Sequence, residues 1–145
     1  MKKIVLAIIV ALGIGQSADA RDRYERTDES LPQAAKLTLQ KHFKAKVALV
    51  KIEKTIGTIQ EYEVILTDGT DISFDAKGNW DSVETPINKV VPSKLIPKPI
   101  VDYVTANYKK AGIVSIDKEN YGYDVELSNG IEMKFDKAGN FKRFD

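Results

Sequence analysis

FDAKGNW (Phe74–Trp80) returns sixty-one residues later as FDKAGNF (Phe135–Phe141), with Asp, Gly and Asn at the same offsets between aromatic ends. A calcium loop of the D-x-[DN]-x-[DN]-G type needs oxygen ligands at alternate positions and glycine in sixth place. Here Lys77 or Ala138 stands third and Gly78 or Gly139 fourth, and no glutamate follows at bidentate distance. As a turn the residues fit. The aspartate accepts a local backbone N–H, the next two residues take the central positions of a type I turn, and glycine supplies the left-handed position. The stretch is a turn used twice.

Working outward from it, the chain divides into two similar halves. LPQAAKLTLQKHF opens the first and IPKPIVDYVTANY the second, aligning Leu31-Pro32 with Ile96-Pro97, Ala35 with Ile100, Leu39 with Val104 and Phe43 with Tyr108. Each proline falls at an early helical position, and apolar residues four apart give one buried stripe on a short helix. The period then falls to two. EYEVILTDGTDISFD pairs with GYDVELSNGIEMKFD, with Tyr62, Val64 and Leu66 or Tyr123, Val125 and Leu127 on one face. Asp68-Gly69 and Asn129-Gly130 signal hairpins, expected as type I′ turns with two central residues. An earlier strand precedes each hairpin (KVALVKIEK, GIVSIDKE), and a later one follows the repeated turn (Asn79–Val83, Asn140–Phe144).

Each half therefore reads as one helix and a meander of about four antiparallel strands, 31–84 and 95–145, joined by 85–94, where Pro86 and Pro92 interrupt sheet and helix. One helix on so small a sheet buries little surface, so the halves are expected to join sheets or pack together as one α+β domain. Residues 21–30, charged and without apolar periodicity, read as a flexible lead-in.

Ahead of it, Lys2-Lys3, the apolar run Ile4–Gly15 and Ala18-Asp19-Ala20 read as a secretory signal peptide cleaved after Ala20. The apolar run is shorter than the roughly 20 residues of a bilayer span, so no stable membrane insertion is expected after cleavage. Losing Lys2, Lys3 and Asp19 takes the formal charge from +1 to zero. A balanced chain gives no electrostatic reason to bind nucleic acid. With no cysteine there is no disulfide and no thiolate chemistry, which suits a periplasmic or secreted protein.

Catalytic signatures are sparse. His42 is the single histidine, and its counterpart is Asn107. A lone histidine without cysteines makes no zinc site, and a cation at a helix C-terminus is the better account. No serine lies in a nucleophile elbow or an S-x-x-K pattern. Glu61 and Glu63, or Asp124 and Glu126, could do acid–base work only if burial split their pKa values. Lying opposite the apolar face, such carboxylates are expected to be solvated and ordinary. No catalytic residue, cofactor or metal site is expected. The informative surface is the sheet face away from the helices, with Glu63, Ile65, Asp71, Ser73, Asp124, Glu126, Glu132 and Lys134, and with Trp80, Tyr121 and Phe144 near strand ends. Aromatics rimmed by charges occur at binding surfaces, so Glu63, Ile65, Trp80, Tyr121, Asp124, Glu126 and Lys134 are the candidate partner-binding residues.

From Leu31 to Asp145 the order LP…AAKLTLQKHF, YEVILTDGTDISFDAKGNW, VPSKLIPKPIVDYV and YDVELSNGIEMKFDKAGNF resembles the PepSY-like, beta-lactamase-inhibitor-protein-like family of small exported bacterial proteins. That resemblance implies tandem α+β units forming a curved antiparallel sheet with helices on one side. It also implies a concave face of the kind inhibitor proteins use to grip an enzyme, and it offers no catalytic residue to carry over. The expectation is a non-enzymatic exported protein that binds another protein through its open sheet face, an enzyme inhibitor being one form. The alternative is a small-ligand or envelope-stress module with a pocket between sheet and helices.

Overall fold

The computed structural model describes residues 22–55 and 58–145, so the expected signal peptide lies outside the described residues. The elements run β1 (Asp22–Glu25), α1 (Gln33–His42), β2 (Val47–Thr55), β3 (Thr58–Leu66), β4 (Asp71–Asp75), β5 (Trp80–Glu84), a single 3-10 turn (Ser93–Leu95), α2 (Lys98–Asn107), β6 (Ile113–Glu119), β7 (Gly122–Leu127), β8 (Glu132–Asp136) and β9 (Phe141–Phe144). All nine strands form one open antiparallel sheet in sequence order, so the fold is α+β.

The sheet is continuous across the middle because β5 pairs with β6, setting Val83 against Ile116. The 85–94 segment is pinned where it leaves: the Thr85 N–H donates to the Val114 carbonyl at 2.8 Å and the Val91 N–H to the Ile113 carbonyl at 2.8 Å. Register carries one apolar row from Val50 through Val64, Ile72, Val83, Ile116 and Val125 to Met133. These residues join Ala35, Leu39, Ile100 and Val104 of the helices in one core, in which Ala35, Phe74, Ile100 and Phe135 are 0 % exposed.

Two expectations need correction. Residues 22–25 are not a loose lead-in: β1 pairs with β2 from Asp22 opposite Glu53 to Glu25 opposite Val50. Backbone pairing on an edge needs no apolar alternation, and the Lys51 ammonium, 3.7 Å from the Asp22 carboxylate, adds attraction. The Asp68-Gly69 and Asn129-Gly130 hairpins are also not two-residue turns. The Gly69 N–H donates to Leu66 O at 3.0 Å and the Leu66 N–H to Thr70 O at 2.9 Å, which encloses three residues, and Gly130 repeats this with Leu127 and Ile131. That is a type I turn closed by a left-handed glycine, a form that tolerates threonine or serine at its first central position.

FDAKGNW and FDKAGNF use the same device. The Gly78 N–H donates to Asp75 O and the Asp75 N–H to Asn79 O, and Gly139, Asp136 and Asn140 match them. One carboxylate oxygen accepts two backbone N–H groups, from Lys77 and Asn79 in one turn and from Ala138 and Asn140 in the other. Glycine serves a second purpose here. A Cβ on Gly78 would lie 2.9 Å from the Ala35 nitrogen and 2.8 Å from the Pro32 Cβ, and one on Gly139 would lie 3.1 Å from the Pro99 Cβ. Each turn therefore seats the first turn of a helix.

Candidate functional site

Strand alternation sends the polar residues to the face that carries no helix. One row there runs Ile65, Asp71, Glu84, Ser115, Glu126, Glu132, and the next runs Lys51, Glu63, Ser73, Ser82, Asp117, Asp124, Lys134, Arg143. Register sets Asp71 directly against Glu84, Asp117 against Asp124, and Glu126 against Glu132. Like charges directly opposite each other destabilise a sheet, so the face is not arranged for stability alone.

Two other carboxylates of this face are not ordinary. Asp71 is pushed up to about 7, first by burial, then by the charge of Glu63 and a hydrogen bond shared with it, then by Glu84 and Glu61. Such a carboxyl pair holds its hydrogen bond only if one partner keeps its proton. Glu84 is raised by burial and by Glu126 and Asp117 across the β5–β6 junction. Neither shift is legible locally, because each depends on which strand lies alongside.

Two cations of this face, Lys51 and Lys134, are held at its two ends. Lys51 lies 2.7 Å from Glu53, 3.7 Å from Asp22 and 3.9 Å from Glu63, and its pKa is raised chiefly by the hydrogen bond to Glu53. Lys134, only 9 % exposed, donates to the Tyr121 hydroxyl at 2.9 Å and to Asp124 at 3.0 Å, and it lies 3.3 Å from Asp145. The Tyr121 hydrogen bond is the largest cause of its raised pKa, opposed by burial and reinforced by Asp124. Tyr121 also bonds Asp124 directly. In the middle of the face Asp71, Glu84, Asp117 and Glu126 form no ion pair to a cation among the described residues.

Of the residues singled out in the sequence, Tyr121, Asp124 and Lys134 form one cluster, and Glu63, Ile65 and Glu126 share the face with it. Trp80 stands apart. It lies opposite Phe74 and packs against the core, with the Lys118 ammonium 3.7 Å from its ring centroid. Asp71, the carboxylate of this face pushed furthest from its ordinary value, and Glu84 were missed as site residues, since their shifts come first from burial and then from carboxylates on neighbouring strands. His42 differs from expectation too: burial, then Lys41 and Lys94, push its imidazole toward the neutral form, so a helix-end cation is not its role.

Among the described residues no group of three or more His, Asp or Glu side chains is placed to hold a metal ion, and no helix is long and apolar enough to cross a membrane. An open groove of about 360 Å³ lies toward β9, lined by Tyr121, Lys134, Phe135, Asp136, Lys142 and Arg143.

A family model described as "Putative beta-lactamase-inhibitor-like, PepSY-like" matches residues 60–143. A structure from Bacteroides vulgatus, described as a "putative periplasmic protein of unknown function", is 40% identical, with a TM-score of 0.78 over 86% of this chain and 98% of that one. One from Bacteroides thetaiotaomicron, described as a "putative calcium-regulated periplasmic protein", is 38% identical, with a TM-score of 0.77 over 86% and 96%. A second Bacteroides vulgatus structure, also described as a "putative periplasmic protein", is 36% identical, with a TM-score of 0.76 over 89% and 99%. No functionally curated protein matches the chain.

Proposed function

The chain belongs to the PepSY-like, beta-lactamase-inhibitor-like family, and from that premise we propose that it is an exported, non-enzymatic protein that docks another protein on its open sheet face. The observation that carries this reading is the uncovered face itself, where Asp71/Glu84, Asp117/Asp124 and Glu126/Glu132 oppose like charges. Sequences that break a local rule of stability do so most often where function requires it. In this reading the N-terminal twenty residues are a cleaved signal peptide and the protein works in the periplasm or beyond, as the neighbours' descriptions suggest. The two halves are copies of one unit, and inhibition of a periplasmic or secreted enzyme is the form the family name favours.

The calcium of the Bacteroides thetaiotaomicron description has no matching ligand group here among the described residues. A ligand pocket between sheet and helices finds no support either, because Ala35, Ile100, Phe74 and Phe135 fill that space.

Photo-crosslinking in living cells tests the docking reading. A photoreactive residue at Ser73 or Glu126, on the open face, should yield a discrete protein adduct, while one at Gln40 on the exposed side of α1 should not. The reading fails if the face positions give no adduct, or if Gln40 gives the same one.

A further inference from the structure

Among the described residues the sheet ends in two edges, β1 and β9, each with one neighbouring strand. β9 is the counterpart of β5: Phe141 lies opposite Phe135 as Trp80 lies opposite Phe74, and Phe144 opposite Met133 as Val83 lies opposite Ile72. Both strands carry a bulge at the same place, leaving Lys142 or Asp81 as the extra residue. The bulge does not prevent pairing on the far side, because β5 accepts β6 there, with Ser82 opposite Asp117, Val83 opposite Ile116 and Glu84 opposite Ser115.

The backbone of β9 is set for the same addition. The Asp145 N–H donates to Glu132 O at 3.0 Å, so in the alternation of an antiparallel ladder the amide and carbonyl of Phe144 point away from β8. The side chains define what fits. Arg143 lies opposite Lys134, a like-charge pair, and has no anionic partner among the described residues. Phe144 is 55 % exposed beside Phe141, their ring centroids 5.0 Å apart. By the pattern β6 supplies to β5, the missing strand brings an apolar residue to Phe144 and an acidic one to Arg143.

We propose that β9 is an isologous docking edge for a second copy of this chain, paired antiparallel about Phe144. In that register Phe144 meets Phe144 and exchanges both backbone hydrogen bonds with it. Each Arg143 meets the Asp145 of the other copy, on the face that already carries both residues. A lysine or arginine on an edge normally repels an incoming strand. Here the repulsion is relieved by a segment that sets an acid opposite Arg143 and a base opposite Asp145, and β9 itself provides that spacing. The β1 strand of another copy has the same spacing in Arg23-Tyr24-Glu25, but Tyr24 lies on the open face opposite Lys51, so setting it against Phe144 would turn that copy's helices to the other side of the sheet. The two-fold axis lies perpendicular to the sheet, so the helices of both copies stay on one side and the two open faces become one surface. Three residue pairs bury little area, so the dimer is weak and concentration-dependent.

Sedimentation equilibrium of the mature chain, with no tag after Asp145, should show the mass rising from monomer toward dimer between about 10 µM and 1 mM. Phe144→Pro removes only the outward-pointing N–H and should abolish dimerisation while the thermal melt remains cooperative, whereas Phe144→Ala keeps the N–H and should weaken it less. Arg143→Asp or Asp145→Arg alone should raise the dissociation constant about tenfold or more, and the double exchange should restore it, because 143 faces 145 across the axis. A monomer at every concentration, a dimer indifferent to Phe144→Pro, or a double exchange that does not recover would each overturn the proposal.

Discussion

Asp136 and Asp71 are carboxylates of one sheet held at opposite ends of the scale. Asp136 sits in a repeated turn and is held at about 2, first by the Asn140 backbone N–H and then by Lys142. Asp71 lies on the open face and is pushed up to about 7 by burial and by Glu63. In the turn, every donor that satisfies the aspartate lies within six residues of it, so local sequence builds its environment. On the face, the neighbours come from β3 and β5 and none of them is a cation. The turn is arranged for its own stability, and on the face Asp71 sits among carboxylates that push it toward its protonated form.

The largest expected effect separates the two kinds of glycine turn. Gly78→Ala adds a methyl 2.9 Å from the Ala35 nitrogen at a φ of +89°, whereas Gly130→Ala meets nothing within 4 Å at a φ of +84°. Urea denaturation should show about 3 kcal/mol lost for the first and about 1 kcal/mol for the second. Equal losses would mean that the turn does not seat the helix. Next comes Asp75→Ala, which leaves the Lys77 and Asn79 N–H groups without their acceptor. It should cost about 1 kcal/mol, as loss of a helix cap does, because water replaces part of what is lost at an exposed turn.

The smallest effects are in pH dependence, and their signs are opposite. Asp136 lies below the ordinary carboxylate value near 4, so its contribution is complete above about pH 4 and is lost as pH falls toward 2. Asp71 lies above that value, so its contribution is complete below about pH 4 and is lost as pH rises through about 7. Asp136→Asn should therefore flatten the acid limb of the urea midpoint against pH. Asp71→Asn should flatten the limb between pH 4 and 7 and stabilise the protein at pH 8. An Asp71→Asn profile parallel to the wild type would remove the contrast between turn and face.

The strand alternation that puts Tyr62, Val64 and Leu66 inside was legible in the sequence, because side chains of a strand alternate whatever the fold. The reading of FDAKGNW as a turn also held, since its donors and acceptors are neighbours in the chain. The two-residue form expected at Asp68-Gly69 did not, because the glycine alone cannot reveal how many residues the flanking strands enclose. β1 was hidden because an edge strand held by backbone pairing needs no apolar signal.

What the sequence determined by itself is local: two helices begun at prolines, the strand faces, and turns closed by glycine. Tertiary structure decided that β5 meets β6, and with it that Glu84 feels the charges of Asp117 and Glu126 across the middle of the open face. It also decided that β9, the counterpart of β5, remains an edge. These features depend on which strands become neighbours, and strand order is fixed by packing of the whole sheet against both helices, to which no single segment holds the key.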